Sequence, residues 1–301
     1  MNQATIWVKD PLAIYAKNSK SGIVIKGQEI IELVSSGKAP LSQIDEVYDA
    51  SDSVVLPGLI NTHHHFYQTL TRAYPEALNK ELFPWLKSLY KVWAHIQPEM
   101  LAVSTELALS ELLLSGCTTA SDHHYLFPSQ LENAIDIEVE QAQNLGMRVV
   151  LTRGSMSLGE KDGGLPPQSV VQTKEQILSD SERLIKSYHN YDKGAMTQIA
   201  LAPCSPFSVT TELMQDTAEL AKQYDVRLHT HLAETIDEEN FCLEKFGLRT
   251  VDYLESVGWL SERTWLAHGI HFNQEEIQKL GKSGVGICHC PSSNMMLASG
   301  I

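Results

Sequence analysis

The N-terminal segment carries short runs of apolar and β-branched residues, a pattern that predicts β-strands. The runs read TIWV, GIVIKGQEIIELV and VYDA, and Gly27 divides the second. A glycine between two such runs favours a tight turn, so the second run predicts a hairpin. We expect residues 1–53 to form the N-terminal part of a small β-sandwich domain.

From Val54 onward, short apolar strands alternate with amphipathic helical segments, which is typical of parallel βαβ units. One helix is predicted from Pro98 to Gly116 and another from Ser129 to Gly146, because proline favours helix starts and glycine favours helix ends. The predicted strands begin near Val54, Thr118, Met147, Thr197, Val226, Thr264 and Val285.

Seven such units predict an α/β fold, a TIM-like (β/α)8 barrel over residues 54–301 with seven of its eight units present. An open barrel would expose strand edges, so we expect a fragment that ends at Ile301, before the eighth strand. Two long loops, 66–98 and 159–169, follow predicted strand ends, where barrel enzymes place substrate-contacting groups.

Composition narrows the function classes. The net charge of -14 and the pI near 5.3 argue against a nucleic-acid partner, because phosphate binding depends on Lys and Arg. A small molecule is the better expectation. No apolar run approaches the roughly 18 residues of a membrane span, and the N-terminus lacks a signal-peptide pattern. Five scattered cysteines without a CxxC pair favour reduced thiols and a cytoplasmic location.

A histidine triplet at the end of the first predicted barrel strand is the strongest local signal. In PGLINTHHHFYQ, His63 and His65 are two residues apart and face the same side of an extended chain. Two imidazoles on one side make half of a metal site. A histidine-rich loop without a ligand role is the alternative for this triplet taken alone.

The predicted fifth strand, in RLHTHLAET, repeats this spacing with His229 and His231. Glu234 follows at the transition from strand to loop, where a carboxylate can lie beside a metal-bound water. Taken alone, this stretch is better explained by a core histidine and a solvated glutamate. Two further histidines, His268 and His289, end the sixth and seventh strands. Histidines at four strand ends of one barrel converge on one face, which favours a catalytic metal site.

The strings PGLINTHHH, HLAET, AHGIHF and CHCPSSNMMLASG resemble, in order and spacing, the aminohydrolase branch of the amidohydrolase superfamily. The longer strings NTHHHFYQTLTRA, LLLSGCTTASDHHYLFP, VVLTRGSMSLGEKDGGLPP and LAPCSPFSVT are similar to the 8-oxoguanine deaminases within it. This resemblance extends over nearly the whole chain.

The resemblance implies a set of site residues. His63, His65 and His231 would ligate one divalent metal, most often Zn2+ with Fe2+ as an alternative, together with an aspartate that follows the eighth strand. Glu234 would transfer protons, and His268 would orient the water and the substrate. The stretch QIALAPCSPF lacks the lysine of dinuclear relatives, so one metal is expected. Base-binding groups are expected at five positions: Gln68, Arg72, Trp93, His123 and His289.

The expected reaction is hydrolytic deamination of 8-oxoguanine to urate and ammonia. Alternatives within the family are deamination of isoxanthopterin, guanine or a hydroxylated amino-triazine. Because the eighth-strand aspartate is absent from the sequence, we expect the 301-residue chain itself to be inactive or nearly so. A further alternative is therefore an inactive fragment that only binds metal.

The sequence argues against a nucleic-acid substrate. A nucleic-acid base editor of the zinc deaminase fold requires H-x-E with P-C-x-x-C, and neither string occurs. We expect a purine-like small molecule as the substrate, with no nucleic-acid polymer and no membrane. A homo-oligomer is considered by analogy with other barrel enzymes.

Overall fold

The structure is a computed structural model that describes residues 3–300. Met1, Asn2 and Ile301 lie outside the described residues, and so does the expected chain end at Ile301. The chain divides into two compact units, with the boundary between Leu59 and Ile60. Within residues 3–300, none of the helices has the length and apolar content needed to span a bilayer.

The first unit is built on a four-stranded sheet that contains the predicted N-terminal strands. Its order is β4-β3-β1-β5, with β1 antiparallel to β3, β3 antiparallel to β4 and β1 parallel to β5. The predicted hairpin is confirmed, because Gly27 lies between β3 and β4 with φ 58, in the left-handed region that glycine adopts without strain. The strands of this sheet are β1 (Thr5–Lys9), β3 (Gly22–Lys26), β4 (Glu29–Val34) and β5 (Glu46–Asp49). The short strands β2 (Ala13–Ile14) and β6 (Val54–Val55) form a separate two-stranded sheet.

The prediction that the first barrel strand begins near Val54 is wrong by several residues. Strand β6 pairs with β2 in the N-terminal unit, and the first strand of the large sheet is Leu59–Asn61. Pro57 and Gly58 lie between the two strands. A proline has no backbone N–H to donate and a glycine weakens a strand, so the apolar run is divided there.

The second unit contains a seven-stranded sheet whose strands follow one another in chain order. Its order is β13-β12-β11-β10-β9-β8-β7, and the pairs from β8 to β13 are parallel. Six of the seven strands begin within two residues of their predicted starts. These strands are β7 (Leu59–Asn61), β8 (Cys117–His124), β9 (Arg148–Ser155), β10 (Thr197–Pro203), β11 (Leu228–Leu232), β12 (Thr264–His268) and β13 (Gly286–Cys288).

Helices connect these strands as the alternating pattern predicts. The helix predicted from Ser129 begins instead at Ala134, because residues 128–131 form a turn in which Leu131 N–H donates to the carbonyl of Pro128. The helices are α1 (Leu82–Trp93), α2 (Pro98–Leu114), α3 (Ala134–Leu145), α4 (Lys174–Tyr188), α5 (Thr211–Gln223), α6 (Ile236–Phe246), α7 (Thr250–Ser256), α8 (Gln274–Ser283) and α9 (Pro291–Met296). Short 3-10 helices occupy Phe66–Thr71, Pro75–Ala77, Glu160–Asp162 and Gln168–Val170.

The core lies along the middle of the sheet. All five residues of β11 are buried, whereas the edge strand β13 is exposed at two of its three positions. Parallel strands covered by helices read as continuous apolar runs, as the stretch IALA of β10 does. Because the strands are parallel, their carboxyl ends share one edge, and the candidate histidines follow those ends.

Close packing between β8 and β9 generates a stability prediction. A Cβ added at Gly154 would lie 2.2 Å from the backbone oxygen of His124, whereas nothing lies within 4 Å of a Cβ added at Gly281 in α8. Gly154→Ala is expected to destabilise the fold by about 1–3 kcal/mol, because β8 and β9 must separate. Gly281→Ala is expected to be neutral or to stabilise by up to about 1 kcal/mol. Urea unfolding checks both variants, and equal effects would contradict this packing.

Candidate active site

Three imidazoles meet at the carboxyl edge of the sheet. His63 and His65 follow β7, and His231 lies in β11. One ring nitrogen from each lies within 4.8 Å of the others, and the Nε2 atoms of His65 and His231 are 3.2 Å apart. Residues 166 positions apart in the chain are thus brought into contact. The same-side placement predicted for His63 and His65 holds in the extended segment that follows the strand.

Hydrogen bonds fix which nitrogen of His65 and His231 carries the proton. His65 Nδ1 is 2.7 Å from the carbonyl oxygen of His123, and His231 Nδ1 is 2.6 Å from that of Cys204. A carbonyl oxygen only accepts, so each Nδ1 donates its proton there. Both Nε2 atoms therefore present lone pairs to each other.

His63 is oriented by a relay through His229. The Nδ1 of His229 donates to the carbonyl of Trp265 at 2.8 Å, so its Nε2 accepts from Nδ1 of His63, also at 2.8 Å. This leaves the Nε2 lone pair of His63 free. Metal-binding histidines are commonly held in this way, with the second ring nitrogen donating to an outer partner.

The electrostatics and spacing of the three histidines suit a cation. Burial lowers the pKa of all three, that of His65 to about 3, so the imidazoles are neutral near pH 7. Two lone pairs facing each other at 3.2 Å repel unless a positive species lies between them. Tetrahedral zinc with bonds of about 2.05 Å separates its nitrogen ligands by roughly 3.3 Å. The donor set therefore fits a divalent metal.

Glu234 lies in the turn between β11 and α6. The backbone N–H groups of Ala233 and Glu234 donate to the carboxylate of Glu238 at 3.0 and 3.1 Å, which holds the turn although Ala233 has φ 52. The Glu234 side chain is buried, and burial raises its pKa to about 8. A carboxyl group with such a pKa exchanges a proton near neutral pH, as general acid–base catalysis requires.

His268 faces the carboxyl group of Glu234, with Nε2 3.5 Å from Oε2. It ends β12 with φ 75, in the left-handed region that a residue with a Cβ rarely adopts. Its Nδ1 donates to Oδ1 of buried Asn294 in α9 at 2.8 Å. Strained backbone held by a buried partner is a common feature of functional sites.

A cavity of about 890 Å3 opens over this edge of the sheet, and it is lined by the side chains of His63, His65, His231, Glu234 and His268. Of the expected base-binding residues, Gln68, Arg72 and His289 line it as well. Both terminal nitrogens of Arg72 already donate N–H hydrogen bonds to the carboxylate of Glu111. The side-chain amide of Gln68 donates to Tyr67 Oη at 3.5 Å.

The other two expected base-binding residues, Trp93 and His123, are not among the described residues that line this cavity. Trp93 is fully buried, and its indole N–H donates to Thr71 Oγ1 at 3.0 Å. His123 is also fully buried, stacks on His231 with ring centroids 4.5 Å apart, and has Nε2 3.0 Å from the carbonyl oxygen of Ala202.

Sequence reasoning assigned no role to three residues that the structure places around the site: His229, Asn294 and Cys204. The H-x-H spacing of β11 put His229 on the correct face, but its role depends on its distance to His63, which spacing does not give. Asn294 and the carbonyl of Cys204 left no local sequence signal, because each acts through a contact with a strand distant in sequence.

Comparison with known proteins identifies the family. The profile described as "Amidohydrolase family" matches residues 54–301. The chain belongs to the amidohydrolase family. This confirms the predicted family and, with the structural neighbours, the TIM-like barrel class.

A triazine hydrolase from Arthrobacter aurescens superposes with a TM-score of 0.93 at 29% identity, covering 99% of this chain and 68% of that chain. The atrazine chlorohydrolase TrzN from the same species, complexed with zinc, gives 0.91 at 29%, covering 98% and 68%.

Curated relatives of this amidohydrolase are deaminases and related aminohydrolases. An 8-oxoguanine deaminase from Pseudomonas aeruginosa is 65% identical over 298 residues, which is 98% of this chain and 66% of that protein. An isoxanthopterin deaminase from an unknown prokaryotic organism is 33% identical, over 85% of this chain and 54% of that protein. A hydroxydechloroatrazine ethylaminohydrolase from Pseudomonas sp. strain ADP is 32% identical, over 90% and 60%. The chain thus spans less than two thirds of the length of these relatives.

The raised pKa of Glu234 generates a pH-dependent stability prediction for metal-free protein. Because the folded pKa of about 8 exceeds the ordinary value of 4.5, the folded state holds the proton more tightly than the unfolded chain. Stability is therefore lost as the pH rises between these values. Glu234→Gln carries no such penalty, so its advantage in Tm should grow by about 2–4 °C or more from about pH 5 to about pH 8.5. Thermal unfolding after chelation checks this, and a pH-independent difference would contradict it.

Proposed function

We propose that the protein deaminates 8-oxoguanine by hydrolysis, giving urate and ammonia. The observation that carries the substrate assignment is the 65% identity, over 98% of this chain, to a protein named 8-oxoguanine deaminase. The reaction class is supported by the site itself, where three neutral imidazoles lie beside a buried carboxyl group and a fourth histidine. The activity remains a proposal for the whole protein, since this chain corresponds to 66% of that relative.

One divalent metal ion, Zn2+ or alternatively Fe2+, is proposed to be held by His63, His65 and His231. When bound, such a metal lowers the pKa of water to about 7 and so supplies a nucleophile at neutral pH. The fixed Nδ1–H donors keep all three Nε2 atoms available as ligands. The stretch of β10 and the residues after it, QIALAPCSPF, contains no lysine to bridge a second ion, which supports a single metal.

Glu234 is proposed as the proton carrier. Its carboxyl group is shielded from solvent, and its pKa of about 8 lets it accept a proton from the attacking water and pass it to a ring nitrogen. The water oxygen bonds to C2 of the purine, and the amino group on C2 leaves as ammonia after gaining the second proton of that water, which leaves a carbonyl at C2. His268, held by Asn294, is proposed to orient the water and the substrate at the same point.

The assignment of groups that bind the purine is a second part of the proposal. Gln68 can both donate and accept hydrogen bonds, which suits the amide-like edge of an oxidised purine. His289 lines the same cavity. Arg72 would contact the purine through its guanidinium group, which is paired with the carboxylate of Glu111. Trp93 and His123 would contribute from behind the cavity wall, by supporting the loop after β7 and His231, respectively.

The proposed substrate class, partners and location are those expected from the sequence. The substrate is a purine-like small molecule, the partner is neither a nucleic-acid polymer nor a membrane, and the location is the cytoplasm. A homo-oligomer is compatible with this proposal. Isoxanthopterin, guanine and a hydroxylated amino-triazine are the substrates to compare, because curated relatives named for a pterin and for a triazine are 33% and 32% identical to this chain.

A substrate panel tests the reaction. We expect kcat/KM of the full-length protein for 8-oxoguanine to exceed that for guanine, isoxanthopterin and the triazine by at least about tenfold, because unpaired buried polar groups penalise a mismatched ring. Ammonia release and urate absorbance are the measurements. A higher kcat/KM for another ring would overturn the substrate assignment.

Substitution of Glu234 tests the mechanism. Glu234→Gln is expected to lower kcat by about 10²–10⁴-fold with its metal content unchanged, because general acid–base catalysis contributes that much. Glu219→Gln, at an exposed carboxylate of α5, is the matched control and should retain full activity. A Glu234→Gln enzyme with kcat near that of the parent would show that another group carries the proton.

A further inference from the structure

A second cluster of ionisable side chains lies behind the metal-site edge, between the sheet and α3. Asp122 and His124 are two residues apart in β8 and share a face, and Glu138 approaches from α3. All three are fully buried, and one ligand atom from each lies within 4.8 Å of the others. We call these residues the buried triad. The catalytic proposal above makes no use of them.

Acceptor atoms of the buried triad face one another, so the triad must hold either shared protons or a cation. His124 Nε2 is 2.7 Å from the carbonyl of Leu126, so it carries the proton, and His124 Nδ1 faces Glu138 Oε1 at 3.1 Å. Asp122 Oδ2 and both Glu138 oxygens have no hydrogen-bond partner among the described residues. Burial raises the pKa of Glu138 to about 8 and that of Asp122 as well. Shared protons can therefore neutralise the group without a cation.

The buried triad is linked directly to the metal loop, the segment His63–Phe66. Asp122 Oδ1 accepts the backbone N–H of Phe66 at 2.6 Å. On either side of this bond, the N–H of His123 donates to the carbonyl of His64 at 2.7 Å, and His65 Nδ1 donates to the carbonyl of His123. Strand β8 therefore binds three consecutive residues of this loop, and Asp122 is the only residue of β8 that does so through its side chain.

We propose that Asp122, backed by Glu138 of α3, is the positioning residue that fixes the metal loop and thereby sets the affinity of the metal site. A neutral Glu138 shares its proton with the neighbouring Asp122 carboxyl group and so links Asp122 to α3. The carboxylate in turn fixes the backbone immediately after His65. The inference rests on the proposed function, because it assumes a metal at His63, His65 and His231.

Metal affinity of the full-length protein tests this inference, with zinc measured by chelator competition and Co2+ absorption as a report on ligand geometry. Asp122→Ala is expected to weaken zinc binding by about tenfold or more, the size of effect seen when groups that orient ligands are removed, and to alter the Co2+ spectrum. Asp122→Asn keeps an oxygen acceptor for Phe66 N–H and should restore most of the affinity. A merely structural role would not produce this rescue.

Substitutions at Glu138 supply the second arm and decide the matter where Asp122→Ala fails to fold. Glu138→Gln can still donate a hydrogen bond and should bind zinc nearly as the parent does, whereas Glu138→Leu should weaken binding as Asp122→Ala does. The control is Glu276→Gln, at a buried carboxylate that pairs with Arg249. It should lower stability and leave zinc affinity unchanged.

The outcomes separate this inference from the proposed function. A parent protein that binds no metal overturns the proposed metal centre and this inference with it. A parent that binds zinc while Asp122→Ala or Glu138→Leu folds and binds equally well overturns this inference alone. Two metals per chain in the parent, falling to one in Asp122→Ala, would make the buried triad a second metal site and overturn the positioning role.

Discussion

The site depends on one constraint, which is that each of three imidazoles commits its Nδ1 proton to an acceptor behind it. His65 and His231 donate to backbone carbonyls, and His63 donates to His229. Because those acceptors belong to the sheet, the strands decide which nitrogen faces the cavity. A set of neutral lone pairs converging in a buried place is unfavourable by itself and becomes favourable around a cation. The three Nδ1 protons therefore link the fold of the sheet to the proposed metal chemistry.

The groups next to the three imidazoles each position one part of the site. Glu234 is kept in a turn by the carboxyl group of Glu238, and burial of its own side chain raises its pKa. His268 is aimed by Asn294. The buried triad lies on the opposite side of β8 and contacts the loop rather than the cavity. Each group thus acts on the site through one short contact.

The sequence predicted what depends on local periodicity. Alternation of apolar strands and helices gave six of the seven sheet strands nearly at their starts, and two-residue spacing put His63 beside His65 and Glu234 just past β11. The failures arise where tertiary contacts decide. Pro57 and Gly58 moved the first sheet strand, and a turn delayed α3. Burial of Trp93 and His123 could not be read from residue type, although the alternation along β8 does separate His123 from Asp122 and His124.

The separation of the proposed metal ligands along the chain has a consequence for biosynthesis. His63 and His65 leave the ribosome early, and His231 is 166 residues beyond His65. A nascent chain can offer only a two-nitrogen half-site until β11 has been made and has paired with its neighbours. Stable capture of an ion therefore follows assembly of the sheet rather than nucleating it. An incompletely synthesised chain would release the ion to competing ligands in the cell, so metal retention reports on completed folding.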